Sequence, residues 1–132
     1  MSELSELEKR ILSELAEFWR ENFPALANAT IGRSGKSDDL RAIQLAFESL
    51  VGADLAIVGI DHAYPSSLDQ LSKAHSLRLL AEIEDHLLFT SEAGHWTGGQ
   101  KPWPELAVTE AGLAEANRVL AELGERWWLP SN

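Results

Sequence analysis

Residues 82–112 read EIEDHLLFTSEAGHWTGGQKPWPELAVTEAG, and no other stretch restricts the fold as much. Two short apolar runs, 87–91 and 105–109, stand on either side of a loop that holds Gly94, Gly98, Gly99, Pro102 and Pro104. Glycine and proline interrupt helices and build turns, so neither run extends helically into the loop. Short apolar runs bounded in this way predict strands, here a long-looped β-hairpin. The sequence on both sides has a helical period, so the hairpin is predicted to lie between helices.

Those helices are read from apolar spacing. Over 1–23, Leu4, Leu7, Ile11, Leu15 and Phe18 recur at intervals of three and four, which makes one apolar stripe; Ser2 or Ser5 caps it and Pro24 ends it. Residues 24–37 are small, polar and glycine-bearing, and are predicted to be a loop. Residues 38–86 are predicted as a helical core. Ser37 caps a helix over 38–51, with Leu40, Ile43, Ala46, Phe47 and Leu50 on one face and Asp38 and Asp39 in the first turn, where the helix dipole favours acids. The run ADLAIVGIDHA, 53–63, fits a buried helix or a short strand; the period from Ala53 to Ile57 favours helix. After a turn at Tyr64–Pro65, residues 67–86 are predicted mostly helical from a cap at Ser66 or Ser67, either as one helix or as two with a break at Ala74–His75 and Ser76 as second cap. Thr109 caps the last helix, 110–127, striped by Leu113, Ala116, Leu120, Leu123 and Trp127. The expectation is one mainly α domain with a small β-hairpin.

Several function classes are disfavoured. The 132 residues carry a net charge of −10 from 11 basic and 21 acidic side chains, which on average repels nucleic-acid phosphates. There is no cysteine, so there is no disulfide framework and no thiolate chemistry, and a reducing cytoplasm is the expected compartment. No apolar run approaches the roughly 20 residues that span a bilayer, and the acidic amphipathic start is neither a signal nor a transit peptide. GRSGKS at 32–37 has the end of a phosphate-binding loop, but Thr30 stands where that motif needs glycine and no apolar strand precedes it. Glu82–His86 and Asp61–His62 lack the companions of a metal site, so no metal or cofactor is expected. No nucleophile–base constellation stands out, and an enzyme is not expected.

EIEDHLLF (82–89) and LAVTEAGLAEA (106–116) resemble the second half of winged-helix regulators of the MarR and PadR kind. In those families the recognition helix ends in a pattern such as LeexGLI, and the return strand of the wing runs into LTexG. His86 stands where they usually have glycine. The resemblance covers about 66–120 and is a superfamily pattern. It implies a winged-helix fold, a transcriptional regulator, double-stranded DNA as partner, and a homodimer built from the first and last helices. Lys73, His75, Ser76 and Arg78 would face DNA from the recognition helix, Gln100 and Lys101 from the wing beside Thr97 and His95, and Arg33 and Lys36 from a loop. Glu82, Glu84 and Asp85 lie toward the helix end that points away from the groove.

The dimer interface would use Leu4, Leu7, Ile11, Phe18 and Trp19 with Leu120, Leu123, Trp127 and Trp128; packing of the two helices within one chain is the alternative. Trp96 and Trp103 flank the wing loop and are read as packing it down. The rival function is a winged-helix protein-interaction module whose acidic surface does not bind DNA. Convergence of Arg33, Lys36, Lys73, Arg78 and Lys101 on one face would favour DNA, and acids mixed among them would favour the rival.

Overall fold

A computed structural model describes residues 3–32, 35–62 and 67–129. In chain order the described residues form α1 (Glu6–Phe18), β1 (Arg20–Asn22), α2 (Phe23–Thr30), α3 (Ser37–Gly52), β2 (Ala56–His62), β3 (Ser67–Gln70), α4 (Lys73–Ala81), a 3₁₀ turn (Ile83–Asp85), β4 (Leu88–Thr90), β5 (His95–Thr97), β6 (Pro104–Val108) and α5 (Glu110–Leu123). Helices with a small antiparallel sheet are therefore the architecture, and the sheet is larger than a single hairpin.

α1 starts on a reciprocal cap. Ser5 Oγ accepts from the Glu8 N–H at 3.1 Å, while Glu8 Oε1 accepts from the Ser5 N–H at 2.8 Å. The helix stops at Phe18, short of the predicted end, because Trp19 turns to φ 70° and residues 20–22 are a strand. Pro24 does not end a helix; it opens one. It sits in the first turn of α2, where a missing N–H is no loss, and Asn22 Oδ1 caps that turn by accepting from the Ala25 N–H at 2.9 Å. Part of the predicted 24–37 loop is thus helical.

The favoured helix over 53–63 is a strand instead. Its β-branched Ile57, Val58 and Ile60 fall in β2, which pairs on both sides. The mostly helical stretch predicted over 67–86, as one helix or two, shrinks for a related reason. β3 pairs with β2, and the Leu71 N–H still donates to the Val58 carbonyl at 2.9 Å. Ser72, not Ser67 or Ser76, then caps α4, its Oγ accepting from the His75 N–H at 3.1 Å; Ser66 and the turn at Tyr64–Pro65 lie outside the described residues. The buried Gln44 of α3 holds the far end of α4, donating to the Leu80 carbonyl at 2.9 Å.

The predicted pairing of 87–91 with 105–109 is replaced by two sheets. β4 pairs with β5, Phe89 opposite Trp96, whereas β6 enters a four-stranded antiparallel sheet of order β1-β6-β2-β3. In it Arg20 stands opposite Ala107, Ala107 opposite Ile57, and Gly59 opposite Gln70. β6 buries Leu106, Ala107 and Val108, with Leu106 and Val108 in the hydrophobic core, which makes it a core strand.

Trp96 fastens the small sheet to α2. It is 3% exposed, meets Phe89 edge-on at 5.4 Å, and donates from Nε1 to the Gly32 carbonyl at 2.9 Å. Asn28 clamps its backbone, accepting from the Trp96 N–H at 2.8 Å and donating to its carbonyl at 3.0 Å. Trp96→Phe removes the bond to the Gly32 carbonyl and part of a buried ring, so a loss of about 1 kcal/mol or more in urea unfolding is expected. A change below a few tenths would mean that the indole N–H bond adds nothing.

The core unites α1, α2, α3 and the sheet through Ile11, Leu15, Phe23, Phe47 and Leu106, with the Phe23 and Phe47 rings 5.0 Å apart. The first and last helices, α1 and α5, pack on each other within the chain. α5 ends at Leu123, because Gly124 takes φ 94°, so Trp127 is not on the helix as predicted. The segment after Gly124 folds back along α1: Trp127 Nε1 donates to Ser13 Oγ at 3.0 Å, and Arg126 pairs with Glu17 at 3.1 Å. Among the described residues, no helix is long and apolar enough to cross a membrane.

Candidate functional site

Polar side chains gather on two surfaces. The first is the outer face of α4. Because Ser72 sets the phase of the helix, Ser76 and Leu80 point inward and His75 and Arg78 point outward. With Leu79, Ala81, Glu82 and His86 they line a shallow depression of about 650 Å³. Ser76, predicted to face DNA, is 1% exposed and donates its hydroxyl to the Ser72 carbonyl at 2.8 Å.

The other predicted DNA contacts do not gather around this depression. Lys73 Nζ lies 2.9 Å from Asp54 and 3.3 Å from the Gly52 carbonyl, at the C-terminal end of α3. Lys36 is the N-cap of that same helix. At 1.5 Å per residue the 16 residues of α3 separate the two lysines by about 24 Å. Lys101 lies over the Trp103 ring, 5.2 Å from its centroid, and Trp103 in turn donates to the Gly99 carbonyl at 2.8 Å. Gln100 is exposed in the same loop, which packs through Gly99 on the Asp85 carbonyl. His95 Nδ1 lies 3.1 Å from the Trp96 carbonyl and Thr97 is half-buried. Arg33 lies outside the described residues. Acids stand among the bases, with Glu82 inside the depression and Glu84 and Asp85 exposed beside it.

The second surface lies where α1 meets β1. Glu14, Glu17 and Phe18 are on the last turns of α1, Trp19 and Glu21 follow, and Glu105 comes from β6 opposite Asn22. Arg126 pairs with Glu17 at 3.1 Å and Arg20 lies 3.7 Å from Glu105, so two guanidiniums sit among four carboxylates. Burial first, and then the charge of Glu14 and a hydrogen bond with it, push the Glu21 carboxyl up to about 7, with Glu17 and Glu105 adding in the same direction. Burial and Glu17 also raise Glu14, against a smaller opposite pull from Arg126 and the bond with Glu21. Glu21 Oε2 is buried without a hydrogen-bond partner.

The residues assigned to a dimer interface fare differently from one another. Ile11 is wholly inside the monomer core and is not available to a second chain. Leu4 and Leu7 are half-buried against that core, Leu120 is half-buried beside α1, and Trp127 and Trp128 are half-buried and edge-on to each other at 5.8 Å. Phe18, Trp19 and Leu123 remain exposed, at 52%, 59% and 43%.

Glu14, Glu17, Glu21 and Glu105 were not among the predicted site residues. Their signal is partly local: 14, 17 and 21 follow one another at three and four, the spacing of a single helical face. Glu105 joins them only through strand pairing. Comparison with protein-family models, curated proteins and solved structures gives no match to this chain.

Proposed function

We propose that this chain is a protein-interaction module that works through an acidic surface, and that it does not read DNA. The distribution of charge carries the reading: carboxylates collect where α1 meets β1, while among the described residues Lys36 and Lys73 lie at opposite ends of α3, Lys73 is paired with Asp54 and Lys101 is laid on the Trp103 ring. DNA affinity comes mainly from Lys and Arg on phosphates, and an interface with few converging cations has little of it.

The winged-helix resemblance draws support from β6 running into the Thr109-capped α5. The pairing of β4 with β5, and of β6 with β1 and β2, weighs against a DNA-contacting wing.

Titration into a labelled random-sequence duplex at low salt tests the reading. No saturable binding is expected, and Arg78→Ala with Lys101→Ala should change nothing. Binding that falls steeply as salt rises, and that weakens in this double variant, would restore the regulator.

A further inference from the structure

Trp19 is unfavourable to the fold in two ways. Its indole is more than half exposed, and its φ of 70° is a region that bulky side chains rarely enter. The hydrogen bonds shown for this residue are backbone ones: the Trp19 N–H donates to the Leu15 carbonyl at 2.6 Å, and the Val108 N–H donates to the Trp19 carbonyl at 2.9 Å. Glycine would keep both bonds and relieve the dihedral. Next to it Phe18, also more than half exposed, lies four residues from Glu14 and so shares its helix face. An aromatic pair left in water inside a rim of carboxylates has the make-up of an interface: a ring to bury, with charge around it to select what buries it.

The charge decides the occupant. Four carboxylates, Glu14, Glu17, Glu21 and Glu105, gather here with the two guanidiniums of Arg20 and Arg126, so acids outnumber bases on this surface. A second copy of the chain would bring the same four carboxylates against it. Nucleic acids and anionic lipid surfaces would be repelled for the same reason.

We infer that the exposed Phe18–Trp19 pair, rimmed by Glu14, Glu17 and Glu21, is the docking face for a cationic polypeptide segment that places an apolar side chain between its Lys or Arg residues. The inference rests on the interaction-module reading and names that module's partner chemistry. The apolar side chain packs on the two rings, and the cations meet the carboxylates.

Three short synthetic peptides test it by calorimetry: one with Lys and Arg flanking a central leucine, a twin with serine for the leucine, and a twin with glutamate for every base. Only the first is expected to bind well, with an affinity that falls as salt rises. Trp19→Gly is expected to weaken that binding roughly tenfold or more while its melting temperature stays level or rises, which separates docking from folding. Glu14→Gln with Glu17→Gln should weaken it and flatten the salt dependence. Equal binding by Trp19→Gly would overturn the face and leave the interaction module standing. Failure of all three peptides would also overturn the inference. Peptide failure together with salt-sensitive duplex binding would remove the module reading as well. Sedimentation showing a dimer that Trp19→Gly dissociates would give the face to a second copy and overturn the cationic partner.

Discussion

Gly112→Ala is expected to lower the unfolding free energy by about 3 kcal/mol and the melting temperature by roughly 10 °C. Gly112 sits in the first turn of α5 and takes the bond of the cap, its N–H donating to Thr109 Oγ1 at 3.0 Å. The turn between α3 and β2 docks on the same spot. Thr109 Oγ1 donates to the Asp54 carbonyl at 2.7 Å, and the Thr109 N–H donates to the Leu55 carbonyl at 3.1 Å. A methyl group on residue 112 would overlap the Leu55 carbonyl oxygen and crowd Val108. Backbone cannot rotate aside as a side-chain tip does, so either the α5 cap or the turn must move. Thermal and urea unfolding measure the effect. A variant that melts within a degree of the parent would mean that the turn is not seated on α5.

Glu21→Gln is expected to change how stability depends on pH. The folded chain holds the Glu21 proton up to about 7, whereas the ordinary carboxyl value is 4.5. A group whose folded value is raised contributes stability that is complete below the unfolded value and is lost as pH rises through the folded one. The window is therefore about 4.5 to 7, with the parent more stable at its acid end. At roughly 1.4 kcal/mol per pH unit, discounted for the half-exposed position, the change is about 1–2 kcal/mol. Glu14 is raised too and acts in the same direction. Glutamine cannot ionise, so the variant should be the more stable protein at pH 8, by about 1 kcal/mol, and should have a flatter profile. Urea midpoints at pH 5 and pH 8 decide the matter. Parallel profiles for parent and variant would place Glu21 in water.

Features set by neighbours along the chain were legible in the sequence. The stripe of Leu4, Leu7, Ile11 and Leu15 marks α1, whose cap is Ser5 of the two serines the sequence offers, and Thr109 marks the start of α5; the close approach of the Leu55 carbonyl to Gly112 is visible only in the fold. Pro24 misled because proline before a helix and proline after one look alike until Asn22 is recognised as the cap. The run 53–63 is short and apolar, and its partners β3 and β6 decide its state from elsewhere in the sequence. The strand pairing was out of reach for the same reason, since β4 found the nearer partner and β6 the farther ones.

The sites follow the same division. Arg78 and His75 were singled out by residue type, but the inward turn of Ser76 depends on α4 starting at Ser72. The carboxylates of α1 were visible as a spacing, and their crowding became evident only once β6 brought in Glu105.

The strand order also governs how the protein can be made. Among the described residues β6 is the last strand, yet it occupies an inner place between β1 and β2. On the ribosome, β2 and β3 can zip together as soon as they emerge, but β1 has no partner until residues 104–108 are synthesised. Until then, the surfaces of Leu106 and Val108 that complete the core are missing, and the apolar stripe of α1 lacks the packing of β6 and α5. Closure then joins residues more than eighty positions apart, a slow, late step that leaves nascent chains exposed to aggregation and makes any fragment ending before Pro104 unable to form the four-stranded sheet.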